Sequence, residues 1–494
     1  MMAFTKNNNL LFLLLILLVG FFLRFYNLGT ENIWYDEGVS IYVAKKGVTE
    51  IALRPENNPP LYYLVLHWWV SLFGDSEFSV RFPSALFGVL SLIGMYKVGS
   101  QLFDRNAGLF SALLLAVSSF HIMYSQEART YSLSSLLTLL SMYFFIELVR
   151  KRRLRDSVGY VISSALLLYS HVYGLFIIVA QNSYLIGRFL FSKMPSELSF
   201  KKWIFLQGMV LSLFAPWVKI LVTQTMRAVG SGTGLRRPDI LTIINSFLTY
   251  GGSSYLAVLF LIFAPLSLIT FEKMSGKIDW RRLFQSLETY RWKIKFSHTE
   301  EVFFLTLWFL TPIMLPIVIS RFGASIYHIR YTIVAFCAFY LLVARAMSIV
   351  HRKYVKFLVA AIVLLAGIEL FGYYHDGHKE QWRDAVHYVE SSADSKDLIL
   401  FNDPVCGWLL FDYYSSRADL VKRGFPETRH RVDEESIGEL RPMLDGHRRV
   451  WFIVSHSTDK KGLIMRTLND SFHLASHKQY RGIDAYLFER KDAG

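Results

Sequence analysis

The sequence predicts a polytopic α-helical membrane protein with about 11 transmembrane helices and a small C-terminal α/β domain outside the membrane. Three observations lead to this fold class. Hydrophobic residues make up 53% of the 494 residues and the mean hydropathy is +0.32, a value that soluble proteins of this size rarely reach. The apolar residues fall in runs that are separated by short basic segments. After about residue 376 the runs stop and a mixed polar composition begins.

The basic charge of the chain does not indicate a nucleic-acid-binding protein. The formal net charge is +14, but the lysines and arginines lie between apolar runs rather than on one soluble face. This distribution is typical of the cytoplasmic loops of membrane proteins. The two cysteines, Cys337 in an apolar run and Cys406 in the polar C-terminal part, predict neither a mutual disulfide bond nor a metal site.

The first apolar run, residues 10–23, is predicted to be an uncleaved membrane span. Arg24 and an aromatic residue follow it, where a signal peptide would have a cleavage site of small residues. Residues 29–81 then form the predicted first outer loop. The spans are predicted at roughly 9–28, 82–102, 108–124, 131–150, 158–171, 173–190, 203–221, 253–271, 302–319, 328–349 and 355–374.

Leu61–Phe73 is predicted to be a helix that lies on the membrane surface rather than a span. It has 13 residues, whereas a crossing needs roughly 20. Pro59 and Pro60 suit the start of a helix, and the tyrosines and tryptophans that follow are typical of the membrane interface. If this segment crossed the membrane, every later segment would change sides.

The positive-inside rule supports that choice. With the helix lying flat, the N-terminus is inside, the C-terminus is outside, and the carboxylates near residues 36 and 127 share the outer face of an inner (plasma) membrane. The predicted outer loops then hold few basic residues, namely Arg129, Arg227, Arg236, Arg237 and Arg321. The predicted inner loops hold Arg105, Lys151, Arg152, Arg153, Arg155, Lys193, Lys201, Lys202, Arg352, Lys353 and seven lysines or arginines between 272 and 300.

The transmembrane domain is predicted to comprise residues 1–375 and the outer α/β domain residues 376–494. Within the second, residues 381–392 and 460–469 read as helices from their apolar spacing. Residues 397–401, 450–454 and 485–489 read as short strands. No internal repeat is evident.

Asp36 and Glu37 are the first candidates for chemistry. They follow the first span and are flanked by Trp34 and Tyr35, aromatic residues that suit the interface. A general base at that depth could meet the head group of a lipid-borne substrate. The alternative is a solvated pair of carboxylates that caps a short interfacial helix.

Three further positions on the outer face could hold a substrate. Glu127 could be a second carboxylate or a metal ligand, and Arg129 its partner or a phosphate ligand; the alternative is an ion pair at a span end. His171, at the turn between two spans, is either a ligand or a structural histidine. Arg330, followed by Tyr331 at the entry to a late span, could clamp a phosphate with two hydrogen bonds or simply snorkel.

Together these motifs resemble the GT-C glycosyltransferases that use polyprenyl-phosphate sugars. The similar families are glycosyltransferase family 39, the dolichyl-phosphate-mannose–protein mannosyltransferases, and the bacterial lipid A aminoarabinose transferases. The likeness covers about residues 9–190 well and is looser to about 375. The matching motifs are Trp34-Tyr35-Asp36-Glu37, Asn58-Pro59-Pro60-Leu61-Tyr62-Tyr63, Arg81-Phe82-Pro83-Ser84-Ala85-Leu86, Phe103-Asp104-Arg105-Asn106-Ala107-Gly108, Tyr124-Ser125-Gln126-Glu127-Ala128-Arg129 and Arg330-Tyr331.

The resemblance implies a seven-span module and a sugar donor on undecaprenyl phosphate, or on dolichyl phosphate in an archaeon. Asp36 is then the base near the acceptor and the anomeric carbon, and Glu37 and Glu127 are the accompanying acidic positions. The residues implied in substrate binding are Tyr35, Arg81, Arg129, His171, Arg330 and Tyr331. No cofactor is implied with certainty; a divalent cation stays open, with Glu127 and His171 as its potential ligands.

Phosphate is a good leaving group, so one base and cationic stabilisation suffice, and a single displacement inverts the sugar. The acceptor could be a glycan, lipid A, a glycolipid or a protein. One departure from the eukaryotic mannosyltransferases is a predicted outer loop of only about 30 residues at 222–252, where those enzymes insert a lumenal domain. Two other functions stay open: a lipid or solute transporter (flippase), and an envelope scaffold whose outer domain binds a partner.

Overall fold

The computed structural model describes residues 6–53, 58–151, 153–191, 198–231, 235–273, 292–402, 406–426, 432–457, 459 and 461–491. The chain divides into two compact units. The first comprises Met1–Tyr26, Gly47–Val65 and Arg81–His375, and the second comprises Asn27–Lys46, Leu66–Val80 and Asp376–Gly494. The second unit thus combines the C-terminal residues with two segments of the predicted first outer loop, which the sequence did not indicate.

Helices account for most of the described chain. Those before residue 376 are α1 (Lys6–Phe25), α2 (Tyr35–Ala44), α3 (Val48–Leu53), α4 (Leu61–Phe73), α5 (Glu77–Leu102), α6 (Arg105–Ala116), α7 (Ser119–Ser125), α8 (Tyr131–Lys151), α9 (Leu154–Ser170), α10 (Gly174–Phe191), α11 (Phe200–Ser231), α12 (Ile240–Gly251), α13 (Ser254–Leu266), α14 (Thr299–Phe322), α15 (Ile333–Ile349) and α16 (Arg352–His375). A 3-10 turn, Ile329–Thr332, precedes α15.

Ten of the eleven predicted spans coincide with a helix or with a bent pair of helices. The exception is 253–271, because α13 ends at Leu266 and a strand begins at Ile269, while the bent pair that includes α13 starts at Ile240. Within the described residues, six helices are long and apolar enough to cross a membrane, and up to eight spans result if each bent pair counts as one. The chain is therefore a multi-pass membrane protein of mostly helical fold, as predicted. The full count of about 11 crossings, their direction and the surface position of α4 stay predictions.

The bent pairs are stabilised by polar caps at their breaks. Between α6 and α7 the chain turns by 62°, and the Ser118 hydroxyl accepts a hydrogen bond from the amide of His121 at 3.3 Å. Between α12 and α13 the angle is 95°; Gly252 takes a positive φ of 81° there, and Ser253 caps the next helix. These caps satisfy helix-end groups that apolar surroundings would otherwise leave without partners.

The predicted outer loop at 222–252 is wrong in its extent. Helix α11 continues to Ser231 and α12 begins at Ile240, so most of this segment is helical. The polar residues after 221 suggested a loop, but they include no glycine or proline before Gly230, and polarity alone does not end a helix. Some predicted loop positions lie outside the described residues: Arg152, Lys193, residues 232–234, Lys277, Arg281, Arg282 and Arg291.

In the first unit, α15 forms the centre. It contacts α6, α8, α13 and α14. Within its candidate span, Ile329–Ile349, 89% of the most apolar stretch is buried inside the protein. By contrast, only 17% of the most apolar stretch of α16 is buried. Helix α16 therefore presents most of its apolar surface outward, as a lipid-facing helix does. Between α13 and α14 in the chain, β1 (Ile269–Lys273) pairs with β2 (Trp292–Phe296) in antiparallel fashion.

The second unit contains a five-stranded sheet in the order β4-β3-β5-β7-β6. Strand β3 is parallel to β4 and β5, whereas β7 is antiparallel to β5 and β6. The predicted strands match β3, β5 and β7, and the predicted helices match α17 and α20; the remaining elements were not predicted. The elements are α17 (Trp382–Ser392), β3 (Leu398–Phe401), α18 (Cys406–Tyr414), β4 (Val421–Gly424), α19 (Ile437–Leu444), β5 (Arg449–Val454), α20 (Leu463–Ser471), β6 (Phe472–Tyr480) and β7 (Ile483–Arg490).

Candidate active site

One set of predicted residues gathers around the loop between α7 and α8, in the first unit. Glu127 and Arg129 lie on this loop and are each 7% exposed. His171 lies in the turn between α9 and α10, and the 3-10 turn before α15 carries the last two members. We define the loop site as Glu127, Arg129, Tyr131, His171, Arg330 and Tyr331.

Hydrogen bonds from side-chain hydroxyls to backbone carbonyl oxygens hold the loop on two sides. The Ser84 hydroxyl of α5 donates to the carbonyl oxygen of Arg129 at 3.1 Å, and the Tyr62 hydroxyl lies 2.8 Å from that of Ser84. On the other side, the Thr130 hydroxyl donates to the carbonyl oxygen of Ser170 at 2.8 Å. The loop is thus tied to α5 and to the end of α9, which restricts the positions of its side chains.

Gln126, directly before Glu127, ties the loop to two further helices. Its Nε2 donates to the carbonyl oxygens of Arg24 at 3.2 Å and Tyr26 at 2.8 Å. Its Oε1 accepts from the hydroxyl of Tyr373 at 3.0 Å. The amide therefore links the end of α1 and the end of α16 to the residue before the candidate carboxylate.

Arg24 connects the end of α1 to the break between α6 and α7, which precedes the loop. This arginine is fully buried, and its Nη2 donates to the carbonyl oxygen of Leu115 at 2.9 Å while its Nη1 donates to that of Ala116 at 3.2 Å. These are the last carbonyls of α6, where the helix dipole favours a cation. Nη2 also lies 2.9 Å from Nδ1 of His121. Because a guanidinium can only donate, His121 accepts there and carries its proton on Nε2.

Two guanidinium groups of the loop site converge on one aromatic ring. The Cζ of Arg129 lies 5.9 Å from the ring centroid of Tyr131, and that of Arg330 lies 6.0 Å from the same centroid. Arg330 is also 5.6 Å from the Tyr331 ring. Cation–π contacts thus bring both guanidiniums to one ring. Guanidiniums offer the charge and the paired hydrogen-bond donors that an anion such as phosphate requires, so phosphate binding at this site stays a prediction.

His171 adds a neutral donor to this site. Burial, together with the positive charges of Arg129 and Arg330, lowers the pKa of His171 to about 3. Its Nδ1 accepts a hydrogen bond from the amide of Tyr173 at 3.1 Å, so Nε2 carries the proton and can donate. The His171 ring lies 5.0 Å from the Tyr331 ring. At neutral pH this histidine contributes a hydrogen bond and no charge.

Arg81 is buried in α5, with 1% of its surface exposed. It lies three residues before Ser84, so both occupy one face of the helix. Since Ser84 contacts the loop at Arg129, Arg81 lies on the face of α5 that meets the loop site.

The second set of predicted residues lies at the start of helix α2, in the second unit. Asp36 and Glu37 lie in its first turn, where the helix dipole favours negative charge. Glu37 is fully buried, and its Oε2 accepts from Nζ of Lys379 at 3.0 Å. Asp36 is half-buried, and the ring of Tyr35 lies 5.6 Å from that of His456. The alternative of a solvated loop pair is wrong for Glu37.

The structure leaves the divalent cation open. Among the residues described, no three histidine, cysteine, aspartate or glutamate side chains are grouped as metal ligands would be. Glu127 and His171 therefore stay candidate ligands only, and their assignment remains a prediction.

Several residues that form these sites were not predicted from the sequence. Tyr131 follows Arg129 by two positions and could have been found as an aromatic neighbour of two candidate phosphate ligands. Gln126 and Ser84 lie inside the motifs already noted, but their roles depend on contacts between helices. Nothing in the sequence around Lys379 indicates its pairing with Glu37, since it lies in a polar segment 342 positions away.

The fold is that of a multi-pass membrane protein, and it is similar to the fold of solved GT-C glycosyltransferases. Residues 57–220 match the family model described as dolichyl-phosphate-mannose-protein mannosyltransferase. An uncharacterized protein of Aquifex aeolicus (strain VF5) is 27% identical over 153 residues, covering 28% of this chain and 30% of that protein. The chain thus matches less than a third of the length of that curated relative.

Solved structures give the same fold over nearly the whole chain. ArnT from Cupriavidus metallidurans in the apo state has a TM-score of 0.60 at 10% identity, covering 96% of this chain and 97% of that one. The same protein bound to undecaprenyl phosphate gives 0.59 at 11% identity and 99% of both chains. The archaeal oligosaccharyltransferase AglB from Archaeoglobus fulgidus, in complex with an inhibitory peptide and a dolichol-phosphate, gives 0.52 at 12%, covering 98% and 74%. The predicted resemblance to GT-C glycosyltransferases is confirmed.

Proposed function

We propose that this protein transfers a sugar from a polyprenyl-phosphate donor to an acceptor hydroxyl on the outer face of the inner (plasma) membrane. The observation that carries the proposal is the convergence of Arg129 and Arg330 on the ring of Tyr131. Two of the proteins with the same fold hold a polyprenyl phosphate, namely undecaprenyl phosphate in ArnT and a dolichol-phosphate in AglB. The acceptor class is a cell-envelope glycan, a lipid or a protein.

The charge change during transfer explains why two arginines are useful. The acceptor oxygen bonds to the anomeric carbon as the bond from that carbon to the phosphate oxygen breaks. The polyprenyl phosphate leaves with the bonding electrons, so its phosphate gains one negative charge. Guanidiniums that are already in place stabilise this developing charge more than the ground state, which lowers the barrier. The Nε2–H of His171 can donate a further hydrogen bond to the phosphate.

Asp36 is proposed as the base that accepts the proton of the acceptor hydroxyl. It is less buried than Glu37 and lies at the start of α2, so a substrate can reach it. Attack from the side opposite the phosphate inverts the anomeric configuration. Glu127, at the loop site, is proposed to orient the acceptor or a divalent cation.

The proposal is tested with the purified full-length protein in detergent. We expect it to carry a polyprenyl phosphate that mass spectrometry of an organic extract identifies, and to transfer sugar from a polyprenyl-phosphate-sugar donor. Arg330→Ala should lower kcat/KM by about 100-fold because one charge-stabilising group is lost, and Arg330→Lys should lower it less. Arg321→Ala, an exposed arginine in the same predicted outer loop, is the matched control and should have no effect.

The cellular test uses a strain that lacks the gene, restored with the wild type or with Arg330→Ala. Mass spectrometry of envelope glycans, lipids and glycoproteins should reveal one sugar that is missing without the protein, which names both sugar and acceptor. A strain that loses no transferred sugar but accumulates a lipid on one side of its membrane would refute the transferase and favour a flippase.

A further inference from the structure

Helix α2, which carries the proposed base, belongs to the same compact unit as the C-terminal residues 376–494. Four sets of contacts join α2, the residues before it and the segment Leu66–Val80 of the same unit to those residues. The Tyr414 hydroxyl accepts from the amide of Ile33 at 2.6 Å, and the Tyr413 hydroxyl donates to the carbonyl oxygen of Asp75 at 2.6 Å. The remaining two sets involve Glu31 and the helix α2 itself.

The Oε1 of Glu31 accepts from the amide of His378 at 3.0 Å. On α2, Gly38 lies so close to Leu410 of α18 that an added Cβ would be 2.7 Å from a Leu410 methyl carbon. Glycine therefore allows the two helices to approach at the second residue after Asp36. The surface of α2 is fitted to the C-terminal domain along its first turn.

The Glu37–Lys379 ion pair is the most specific of these contacts. Glu37 is completely buried and the Lys379 side chain is 11% exposed. A buried carboxylate without a partner is strongly unfavourable, so the position of this side chain depends on the ammonium group. Neighbouring residues of one helical turn move together, and a rotation of α2 that broke the pair would redirect Asp36 as well.

We infer that Lys379 is a positioning residue for Asp36, and that the C-terminal domain builds the acceptor-activating part of the active site instead of being an accessory. This inference rests on the proposed function, because it assumes that Asp36 is the base. Lys379 acts through Glu37 and not on the substrate. The loop site uses none of these residues, so donor binding and acceptor activation depend on different parts of the chain.

The experiment uses the full-length protein in detergent with the polyprenyl-phosphate-sugar donor of the wild-type assay. Lys379→Met should lower kcat by about 100-fold, the loss that a misplacement of about 1 Å can cause, while the KM for the donor stays within about 2-fold. Lys379→Arg should recover most of the activity. The control Lys461→Met removes the lysine of an exposed pair with Glu434 in the same unit, and should leave kcat and KM unchanged.

The double variant Glu37→Gln with Lys379→Met tests the pair itself. Removing both charges leaves no unpaired buried carboxylate, so this variant should be more active than Lys379→Met alone. If Lys379→Met does not fold, the charge exchange Glu37→Lys with Lys379→Glu decides: activity above that of Glu37→Lys alone supports the inference, and equal activity overturns it.

The outcomes separate the inference from the proposed function. An inactive wild type that binds no polyprenyl phosphate overturns the proposed function. An active wild type, an inactive Asp36→Asn and a Lys379→Met with wild-type kcat would overturn the positioning role and leave the transferase intact. A folded Lys379→Met with reduced kcat and unchanged donor KM supports both.

Discussion

The loop site and helix α2 are built from different kinds of contact. The loop site is held by hydrogen bonds between helices of the first unit, from Ser84, Gln126 and Thr130, and by the stacking of two arginines on Tyr131. Helix α2 is held by the ion pair of Glu37 and Lys379 and by the close approach of Gly38 to Leu410. In both regions, the residues that provide these contacts are mostly different from those proposed to touch the substrate.

Because of this difference, we expect donor binding to depend on the loop site and acceptor activation to depend on helix α2. In the proposed mechanism the donor is a lipid that reaches the site from the membrane, and a rigid site among membrane helices suits it. The proposed base lies in the other unit, so acceptor activation can depend on residues that donor binding does not use. Three variants test this comparison, in order of decreasing expected effect.

Asp36→Asn should have the largest effect. Asparagine keeps the size of the side chain but cannot accept the proton, so kcat should fall by about 1,000-fold, while polyprenyl phosphate binding is unchanged. Enzyme assays and lipid extraction of the same preparation measure both. Asp384→Asn, at an exposed carboxylate in α17, is the control. Wild-type turnover in Asp36→Asn would remove the base from the mechanism.

Arg24→Met should damage the loop site and spare helix α2. The substitution leaves the last carbonyls of α6 and the Nδ1 of His121 without their donor, which should cost about 3 kcal/mol of stability. The loop that contains Glu127 should loosen, so we expect weaker binding of polyprenyl phosphate and a lower unfolding temperature. Lys353→Met, at the exposed start of α16, is the control. Unchanged lipid binding would contradict the supporting role of Arg24.

Gly38→Ala should have the smallest effect, on the second unit. The added Cβ meets the buried Leu410 side chain, and the strain should exceed the gain in helix propensity, with a net loss of about 1 kcal/mol. Gly438→Ala in α19, where an added Cβ meets nothing within 4 Å, is the matched control and should be neutral or stabilising. Thermal unfolding in detergent measures both, and lipid binding should be unchanged in both. A stabilised Gly38→Ala would show that α2 is not fitted to α18.

Much of the fold could be predicted because a membrane span is a local property of the sequence. A run of apolar residues of sufficient length must cover its own backbone in lipid, and it does so as a helix. Every predicted span except 253–271 accordingly coincides with a helix or a bent pair. The segment after residue 221 was misjudged because its polar residues continue α11 without a breaker. The bend at Ser118 was missed because apolar residues flank it on both sides, whereas Gly251-Gly252-Ser253 is a clear break and the predicted span began directly after it.

The candidate site was only partly accessible from the sequence. Arg129, His171, Arg330 and Tyr331 were named as candidate ligands from their positions at span ends, and the structure brings them together around Tyr131. The roles assigned to them remain predictions. Glu37 was expected beside Asp36 in the chemistry, whereas its complete burial against Lys379 makes it a structural partner of the C-terminal residues.

The sequence by itself determined the apolar helices, the residue types of the site and the class of protein, because each of these depends on neighbours along the chain. The tertiary structure alone decided which polar groups meet. The carbonyls of α6 receive the guanidinium of Arg24, and Glu37 receives the ammonium of Lys379 from 342 positions away. Such pairs form because burial makes an unpartnered polar group costly, and that cost is set by the packed surroundings, which no local pattern contains.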